Sequence, residues 1–292
     1  SPAGSSSGTG ASIGARIAPV GLGSDTGGSV RNPAAWCGIA GLRPTSQRYS
    51  QKGVVPISWT RDTIGPMART VADLELLDRV IMDEVPVRSE SLAGVRLGLD
   101  RSFFCTDCDP DILTLFETEI DRLASAGAEV LEITIPGLAG LIGKVGPIFA
   151  AYEFIRAVPI YLSETGANVS LSELISQVAA SGLGSRFNSI NSTEVVPDDA
   201  YNEALTEVRP AIQAAYLDAF EACNLNALIF PSTILSPTLV DYGETHLMGG
   251  VEVPDLVASS RNVQPASIGG FAGLTVPMGL TPNGLPSAIG FD

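Results

Sequence analysis

The first 45 residues combine glycines and hydroxyl side chains with apolar residues, and this combination limits the possible fold more than any other part of the chain. The run Gly27-Gly28-Ser29 directly precedes an apolar segment. Because glycine tolerates positive φ, successive N–H groups of such a run can point into one concavity, which suits an oxyanion. A flexible linker does not interleave apolar residues with fixed polar positions, whereas this segment does so at Ile13, Ile17, Val20 and Leu22. The segment therefore predicts the loops of a catalytic site, with Ser29 as its nucleophile.

Two ordered motifs stand in this part of the chain, PAGSSSG at residues 2–8 and GSDTGGSVRNPAAWCGIAGLRPT at residues 23–45. Their order and spacing closely resemble the amidase signature family, serine hydrolases that cleave carboxamides. DTIGPMARTVAD at residues 62–73 and GLTVP at residues 273–277 also resemble segments of that family. The resemblance covers nearly the whole chain and implies an α/β fold, an α/β/α sandwich around one large mixed β-sheet.

The resemblance implies a triad of a serine, a second serine held by a cis peptide bond, and a lysine. Position by position, the nucleophile maps to Ser29 and the proton-passing cis-serine to Ser5, 24 residues earlier. The backbone N–H groups of Thr26, Gly27, Gly28 and Ser29 are implied to form the oxyanion hole. Ser7 stands where the family usually has glycine, which affects the loop geometry but not the assignment of Ser5.

Three further residues are candidates for supporting these loops. The hydroxyl of Ser6, with that of its neighbour Ser7, is expected to hydrogen-bond the loop. Asp25 and Arg31 either form an ion pair that clamps the loop or are ordinary surface charges, and exposed pairs contribute little. The sequence leaves both interpretations open.

A proton acceptor for Ser29 is not evident in the chain. A serine nucleophile needs a base within hydrogen-bond reach, a role that histidine or a neutral lysine can fill. The one histidine, His246, lies in a glycine-bracketed stretch, and Lys52 and Lys144 lie in turn-like, glycine-rich surroundings. The resemblance implies a lysine several tens of residues before the cis-serine, so the chain is expected to be an internal portion of one amidase domain, 1–292, incomplete at both ends.

Composition limits the partners that the protein is expected to have. The net charge is −15 and Lys and Arg are not clustered, which argues against nucleic acid and anionic membranes. We find no apolar run of about 18 residues, the length of a membrane span. Cys105 and Cys108 have CxxC spacing but lack the second half of a zinc site. We therefore expect a cytoplasmic enzyme of small amides without metal or cofactor, as a possible homodimer.

Helical and strand patterns alternate along the chain. Thr70 is expected to cap a helix that ends near Asp83, and Asp109 with Pro110 is typical of a helix start. The other predicted elements are strands at 95–99, 129–133 and 227–230 and helices at 109–126, 149–162, 171–180 and 198–223, the last broken near Pro210. The alternation predicts α/β layers around a mixed sheet.

Substrate choice is weakly encoded. The segments YEFIRA at 152–157, YL at 161–162 and SELIS at 172–176 resemble the branch that includes mandelamide and indoleacetamide hydrolases, which implies aromatic or apolar amides. Ile148, Tyr152 and Phe187 either wall an acyl pocket or, as is more common at helical spacing, belong to the core. An alternative function is the amidase subunit of a tRNA-dependent amidotransferase, since the family serves both.

Overall fold

One large β-sheet organises the chain in the computed structural model, which describes residues 1–84, 91–177, 196–240 and 245–292. The strands in this part of the chain are β1 (Val20–Ser24), β2 (Ala40–Arg43), β3 (Ile64–Ala68), β4 (Arg96–Leu99), β5 (Glu129–Glu132), β6 (Ala227–Pro231), β7 (Thr245–Met248), β8 (Val251–Pro254), β9 (Gly273–Leu280) and β10 (Pro286–Phe291). Eight of them form the sheet in the order β1-β3-β2-β9-β10-β6-β4-β5, and β7 pairs with β8 in a separate hairpin.

Strand directions make the sheet mixed, as predicted. The pairs β1–β3, β3–β2, β2–β9, β9–β10 and β10–β6 are antiparallel. The pairs β6–β4 and β4–β5 are parallel. Parallel neighbours need a crossover connection, and the helical segment between β4 and β5 supplies one.

Helices surround this sheet and account for most of the remaining described chain. They are α1 (Ser7–Gly14), α2 (Arg31–Trp36), α3 (Val71–Met82), α4 (Arg101–Phe104), α5 (Pro110–Ser125), α6 (Leu138–Val145), α7 (Ile148–Glu164), α8 (Leu171–Ser176), α9 (Asp198–Glu203), α10 (Arg209–Cys223), α11 (Asp255–Ser260) and α12 (Gln264–Gly269). A π-helical turn, Ala204–Val208, joins α9 to α10, and a 3-10 turn, Arg261–Val263, joins α11 to α12.

Apolar side chains leave the sheet on both faces, because successive residues of a strand point to opposite sides. On β3, Met67 packs against residues of α1 and α2, whereas Ala68 packs against Leu74 of α3. On β10, Ala288 packs with residues of α2 and Ile289 with residues of α5. The helices α1 and α2 therefore cover one face and α3 and α5 the other, which confirms the α/β/α sandwich.

Local capping signals set the helix starts that the sequence predicts. Thr70 Oγ1 accepts a hydrogen bond from the N–H of Asp73, and the side chain of Asp109 caps α5 with Pro110 at the first position. The predicted helix at 171–180 is observed as Leu171–Ser176, and residues 178–180 lie outside the described part.

The predicted break near Pro210 is present as a change of helix type. Pro210 has no N–H and its ring crowds the carbonyl one turn earlier, so an α-helical ladder cannot continue through it. The π-helical turn Ala204–Val208 absorbs this mismatch immediately before α10 begins at Arg209. The chain thus keeps a helical path from Asp198 to Cys223 despite the proline.

One segment of the described chain has the length and the mean hydropathy of a membrane span, although it is not an uninterrupted apolar run. Leu138–Glu164 spans 27 residues, contains an 18-residue stretch with a mean hydropathy of 1.4, and by length and composition could cross a membrane. It combines α6 and α7, which abut at Gly146 and Pro147, and its side chains Leu138, Val145 and Phe149 are buried in the core. The segment is not an uninterrupted apolar run, because Lys144, Glu153 and Arg156 lie within it.

Candidate active site

Two loops meet where β1 ends and α2 begins. The first contains the Gly4–Ser5 peptide bond, which is cis as predicted. The second carries Ser29 at the entrance to α2. The N–H of Ser6 donates to the carbonyl of Ser29 at 3.1 Å, and the Ser6 hydroxyl accepts from the N–H of Ser24 at 3.2 Å. Backbone contacts therefore bring the proposed cis-serine loop to the proposed nucleophile.

The two serine side chains themselves are only loosely fixed. Ser5 is exposed and Ser29 is half-buried. Among the hydrogen bonds of the described residues, none involves the hydroxyl of Ser5 or of Ser29. Proton transfer between the two serines requires a direct hydrogen bond between their hydroxyls. That bond is not present in the described part of the chain, where backbone contacts hold the two loops together.

The nucleophile loop has its carbonyl groups anchored. The carbonyl of Asp25 accepts from Arg43 and from the N–H of Thr63, that of Thr26 from Arg61 Nε at 3.0 Å, and that of Gly28 from the N–H of Asn32 at 2.8 Å. A trans peptide is planar and its N–H points opposite to its C=O. These hydrogen bonds to the three carbonyls therefore point the N–H groups of Thr26, Gly27 and Ser29 away from the groups that bind the carbonyls.

These three N–H groups are candidates for the oxyanion hole. In the described part of the chain, none of them has a hydrogen-bond acceptor among protein groups. Backbone donors that stay available and fixed in direction are what a tetrahedral oxyanion requires. The roles of Thr26, Gly27 and Ser29 as oxyanion-hole donors stay a prediction.

Gly28 departs from the prediction. Its N–H donates to Asp25 Oδ1 at 2.9 Å, so this amide is engaged inside the loop rather than presented to a substrate. The sequence places glycine here for a different reason. The residue has φ +106°, and a Cβ atom would come closer than 3.0 Å to Val263 Cγ2.

Asp25 is the centre of a buried ionic network, so the surface-charge interpretation was wrong. Its carboxylate accepts from Arg31 Nε at 3.1 Å and from Arg43 Nη1 at 3.1 Å, and all three side chains are at most 1% exposed. It also accepts from the N–H of Val30 at 3.3 Å. Burial alone raises the pKa of the Asp25 carboxyl, but the charges of Arg31 and Arg43 outweigh it and hold that pKa well below its usual range.

Arg31 connects this network to the 3-10 turn, to α12 and to the residue that follows the central strand β10. Its Nη2 donates to the carbonyl of Val263 at 2.9 Å and to Ser267 Oγ at 2.7 Å, and its Nη1 lies 3.7 Å from Asp292. Burial raises the pKa of the Asp292 carboxyl to about 7, although Arg31 opposes this. The predicted clamp is therefore larger than the pair Asp25 and Arg31.

Sequence reasoning missed three residues that contact the nucleophile loop. Arg43 and Arg61 both donate to its carbonyls, and Gln264 Nε2 donates to the carbonyl of Gly27 at 3.1 Å. A signal existed for Arg43, which lies inside the quoted motif and is the last residue of β2. Arg61 stands one residue before the quoted segment 62–73, and Gln264 is a polar residue within an otherwise small and apolar stretch.

The alternative bases and ligands are placed elsewhere. Lys52 and Lys144 are both exposed. His246 lies on β7 with Nε2 3.3 Å from the carbonyl of Asp107. Across the residues with described positions, no three or more His, Cys, Asp or Glu side chains group as metal ligands. Burial raises the pKa of Cys105 to about 11 and that of Cys108 to about 12, which keeps both as thiols at neutral pH.

The candidate pocket residues belong mainly to the core. The ring of Tyr152 stacks on Tyr201 with centroids 3.8 Å apart, and the Arg156 guanidinium lies 3.6 Å from the Tyr152 centroid. These two groups cannot share one ring face, so both faces of Tyr152 are covered. Ile148 packs against the main core cluster, and Phe187 lies outside the described residues.

Known proteins resemble this chain along its whole length. It is 38% identical to indoleacetamide hydrolase of Allorhizobium ampelinum over 98% of the chain and 62% of the relative. Mandelamide hydrolase of Pseudomonas putida is 32% identical over 98% of the chain and 57% of the relative. A glutamyl-tRNA(Gln) amidotransferase subunit of Novosphingobium aromaticivorans is 31% identical over 99% of the chain and 62% of the relative. The chain thus spans less than two thirds of the length of each relative.

A solved structure and a family model agree with these relatives. The native peptide amidase from Stenotrophomonas maltophilia is 28% identical with a TM-score of 0.74, over 100% of this chain and 62% of that one. The model of the family described as Amidase matches residues 1–292. The match from the first residue to the last, on a sheet and loop arrangement shared with a solved amidase, shows that the chain belongs to the amidase family.

Proposed function

We propose that the full-length protein hydrolyses the C–N bond of small aromatic or apolar carboxamides through an acyl-enzyme on Ser29. The observation that carries this proposal is the junction of the two loops. The cis Gly4–Ser5 loop is hydrogen-bonded to the backbone of Ser29, and the N–H groups of Thr26, Gly27 and Ser29 have no protein acceptor among the described residues. A nucleophile beside fixed donors is the arrangement that acyl transfer needs.

The proposed reaction proceeds in two halves. Ser29 Oγ attacks the amide carbonyl carbon, and its proton passes through the Ser5 hydroxyl to the base. The resulting oxyanion accepts hydrogen bonds from the N–H groups of Thr26, Gly27 and Ser29. Collapse breaks the C–N bond, the amine leaves with a proton, and water then hydrolyses the ester to release the carboxylate and free Ser29.

The base belongs to a part of the protein outside residues 1–292 in this proposal. Both lysines of the chain are exposed, and in the described part of the chain neither side chain hydrogen-bonds to the loop of Ser5 or of Ser29. The family resemblance implies a buried lysine, whose pKa burial would lower far enough for it to accept the serine proton. We accordingly assign the triad as Ser29, Ser5 and that lysine.

The names of two relatives support an aromatic amide as substrate. One is an indoleacetamide hydrolase and another a mandelamide hydrolase. The amidotransferase subunit is a second candidate through its 31% identity. The net charge of −15 favours the first, because tRNA contact requires clustered cations, although a partner could supply them. We further propose a cytoplasmic enzyme that needs no metal or cofactor, since acyl transfer on serine moves only protons and an acyl group.

Ammonia release from purified full-length protein separates the two candidates. The substrates are indole-3-acetamide, mandelamide and glutamine, each tested without partner subunits or tRNA, and with the Ser29→Ala variant as the control. We expect the wild-type protein to release ammonia from indole-3-acetamide and from mandelamide, and the Ser29→Ala variant to release none. If glutamine is the one substrate that yields ammonia, and only after partner subunits and tRNA are added, the protein is instead an amidotransferase component.

A further inference from the structure

Arg61 is a buried arginine that the proposed reaction does not use. It is 4% exposed and lies three residues before β3. In the described part of the chain it forms no salt bridge, and its hydrogen-bond acceptors are all neutral. Nε donates to the carbonyl of Thr26 at 3.0 Å, Nη1 to that of Gly146 at 3.1 Å, and Nη2 to Gln264 Oε1 at 2.6 Å. The carboxylates of Asp25, Asp62 and Glu153 act on the Arg61 charge from a distance, without a direct ion pair. Burying a charge whose direct partners are all neutral is costly to stability, so packing alone does not account for it.

Gln264 extends this contact by one residue along the nucleophile loop. While its Oε1 accepts from Arg61, its Nε2 donates to the carbonyl of Gly27 at 3.1 Å. The two side chains therefore hold the consecutive carbonyls of Thr26 and Gly27. Because the peptide is planar, fixing the Thr26 carbonyl also fixes the direction of the Gly27 N–H.

The same two side chains close the space behind Gly27. A Cβ atom added to Gly27 would lie 2.9 Å from Arg61 Nη2 and 3.0 Å from Gln264 Nε2. The loop thus lies directly on the pair, with no intervening residue. A lysine could not replace this contact, since only the planar guanidinium reaches three acceptors from one rigid fork.

We propose that Arg61 and Gln264 are positioning residues, which hold the Thr26–Gly27 peptide so that the Gly27 N–H faces the oxyanion of the reaction. This inference rests on the proposed function, in which Ser29 is the nucleophile. Without the Arg61 bond, the peptide plane is free to rotate and the Gly27 N–H is lost as a donor. The pair stabilises the transition state through Gly27 and does not touch the substrate.

The test compares Arg61→Lys, Arg61→Leu and Gln264→Leu in the full-length protein with aryl amide substrates. Removing one oxyanion donor lowers kcat by about 10²–10³-fold. For Arg61→Leu we expect a loss near the smaller of these values, about 10²-fold. We expect Arg61→Lys to lose less kcat than Arg61→Leu, because a lysine can still donate to one carbonyl. KM changes by less than about threefold, since the lost contact acts in the transition state. Arg48→Leu is the matched control, because Arg48 pairs with Asp78 and Glu84 and touches neither loop.

The rate at which a fluorophosphonate labels Ser29 distinguishes a positioning role from a purely structural one. Ser29 Oγ forms a bond to phosphorus, fluoride leaves, and the serine proton passes to the base, with the phosphoryl oxygen in the position of the oxyanion. We expect the labelling rate to fall in parallel with kcat while the label stays on Ser29. Circular dichroism confirms folding, and if Arg61→Leu does not fold, Arg61→Lys and Gln264→Leu decide the question.

The outcomes separate this inference from the proposed function. Labelling of Ser29 at the wild-type rate in both Arg61→Lys and Gln264→Leu overturns the positioning role and leaves the nucleophile in place. A rise in KM with kcat unchanged also overturns it. A wild-type protein that is not labelled at Ser29 overturns the proposed function itself.

Discussion

Replacement of Gly28 by alanine adds a single methyl group, and the structure predicts a large loss of stability from it. Gly28 has φ +106°, outside the region that residues with a Cβ readily adopt. An added Cβ would come within 3.0 Å of Val263 Cγ2, and Val263 is fully buried. Backbone and packing therefore oppose the same methyl group.

The magnitude follows from these two contributions. A residue forced into a sparsely populated φ region costs about 1–3 kcal/mol, and overpacking a buried site costs a further ~1–3 kcal/mol. We therefore expect Gly28→Ala to lower the free energy of unfolding by about 2–6 kcal/mol. Each kcal/mol corresponds to roughly 2–4 °C in Tm for a protein of this size class.

Equilibrium urea unfolding of the full-length protein measures this loss, and two further variants separate its causes. Gly8→Ala is the matched control, because Gly8 lies in α1 and a Cβ there meets nothing within 4 Å. It should stabilise by up to about 1 kcal/mol through helix propensity. Val263→Ala removes the clashing methyl, so the double variant should be about 1–3 kcal/mol more stable than the sum of the single effects.

Two results would refute this reasoning. A Gly28→Ala variant with the unfolding midpoint of the wild type would mean that the loop adopts another conformation. Strictly additive effects of Gly28→Ala and Val263→Ala would show that the methyl does not meet Val263. The first result would also remove the account of how Asp25 engages the Gly28 amide.

Three other predictions concern the network, a thiol and the histidine. Asp25→Asn leaves Arg43 without its buried counter-ion and Arg31 with Asp292 alone, and should destabilise by about 3–5 kcal/mol in urea unfolding at pH 7. Because the folded-state pKa of Asp25 is lowered, its contribution to the free energy of unfolding is complete above the usual carboxyl pKa of 3.8 and is lost as the pH falls below it. A difference in the free energy of unfolding between variant and wild type that grows on acidification would contradict this. Burial raises the pKa of Cys108 to about 12, so its alkylation at pH 8 should be far slower in folded than in urea-unfolded protein, and equal rates would show an exposed thiolate. His246→Ala should leave the profile of kcat/KM against pH unchanged, whereas loss of a limb near pH 6.5 would make histidine the base.

The parts of the fold that depend on neighbouring residues could be predicted from the sequence. Thr70 and Asp109 cap helices through contacts two or three residues away, and Pro210 disturbs its own helix. The cis bond before Ser5 was expected because a long, ordered motif surrounds it. Short-range geometry and a recognisable motif thus account for the helix starts and for the position of Ser29.

The parts that depend on distant residues could not be predicted. Arg61 and Gln264 lie 203 residues apart, and Gln264 and Gly27 lie 237 apart. Such contacts leave no periodic pattern in one sequence, since they arise only when α12 packs beside the nucleophile loop. The commitment of the Gly28 amide to Asp25 escaped prediction for a related reason: a motif gives residue identity but not the direction of each N–H.

The central claim is that Ser29 forms the covalent intermediate, and mass spectrometry of the fluorophosphonate-treated full-length protein tests it most directly. Ser12→Ala is the matched control, because the Ser12 hydroxyl only bonds the carbonyl of Thr9 within α1. We predict one adduct per chain, mapped to Ser29 in the wild type and in Ser12→Ala, and absent from a folded Ser29→Ala variant. An adduct on a different serine, or one that persists in Ser29→Ala, would contradict the account.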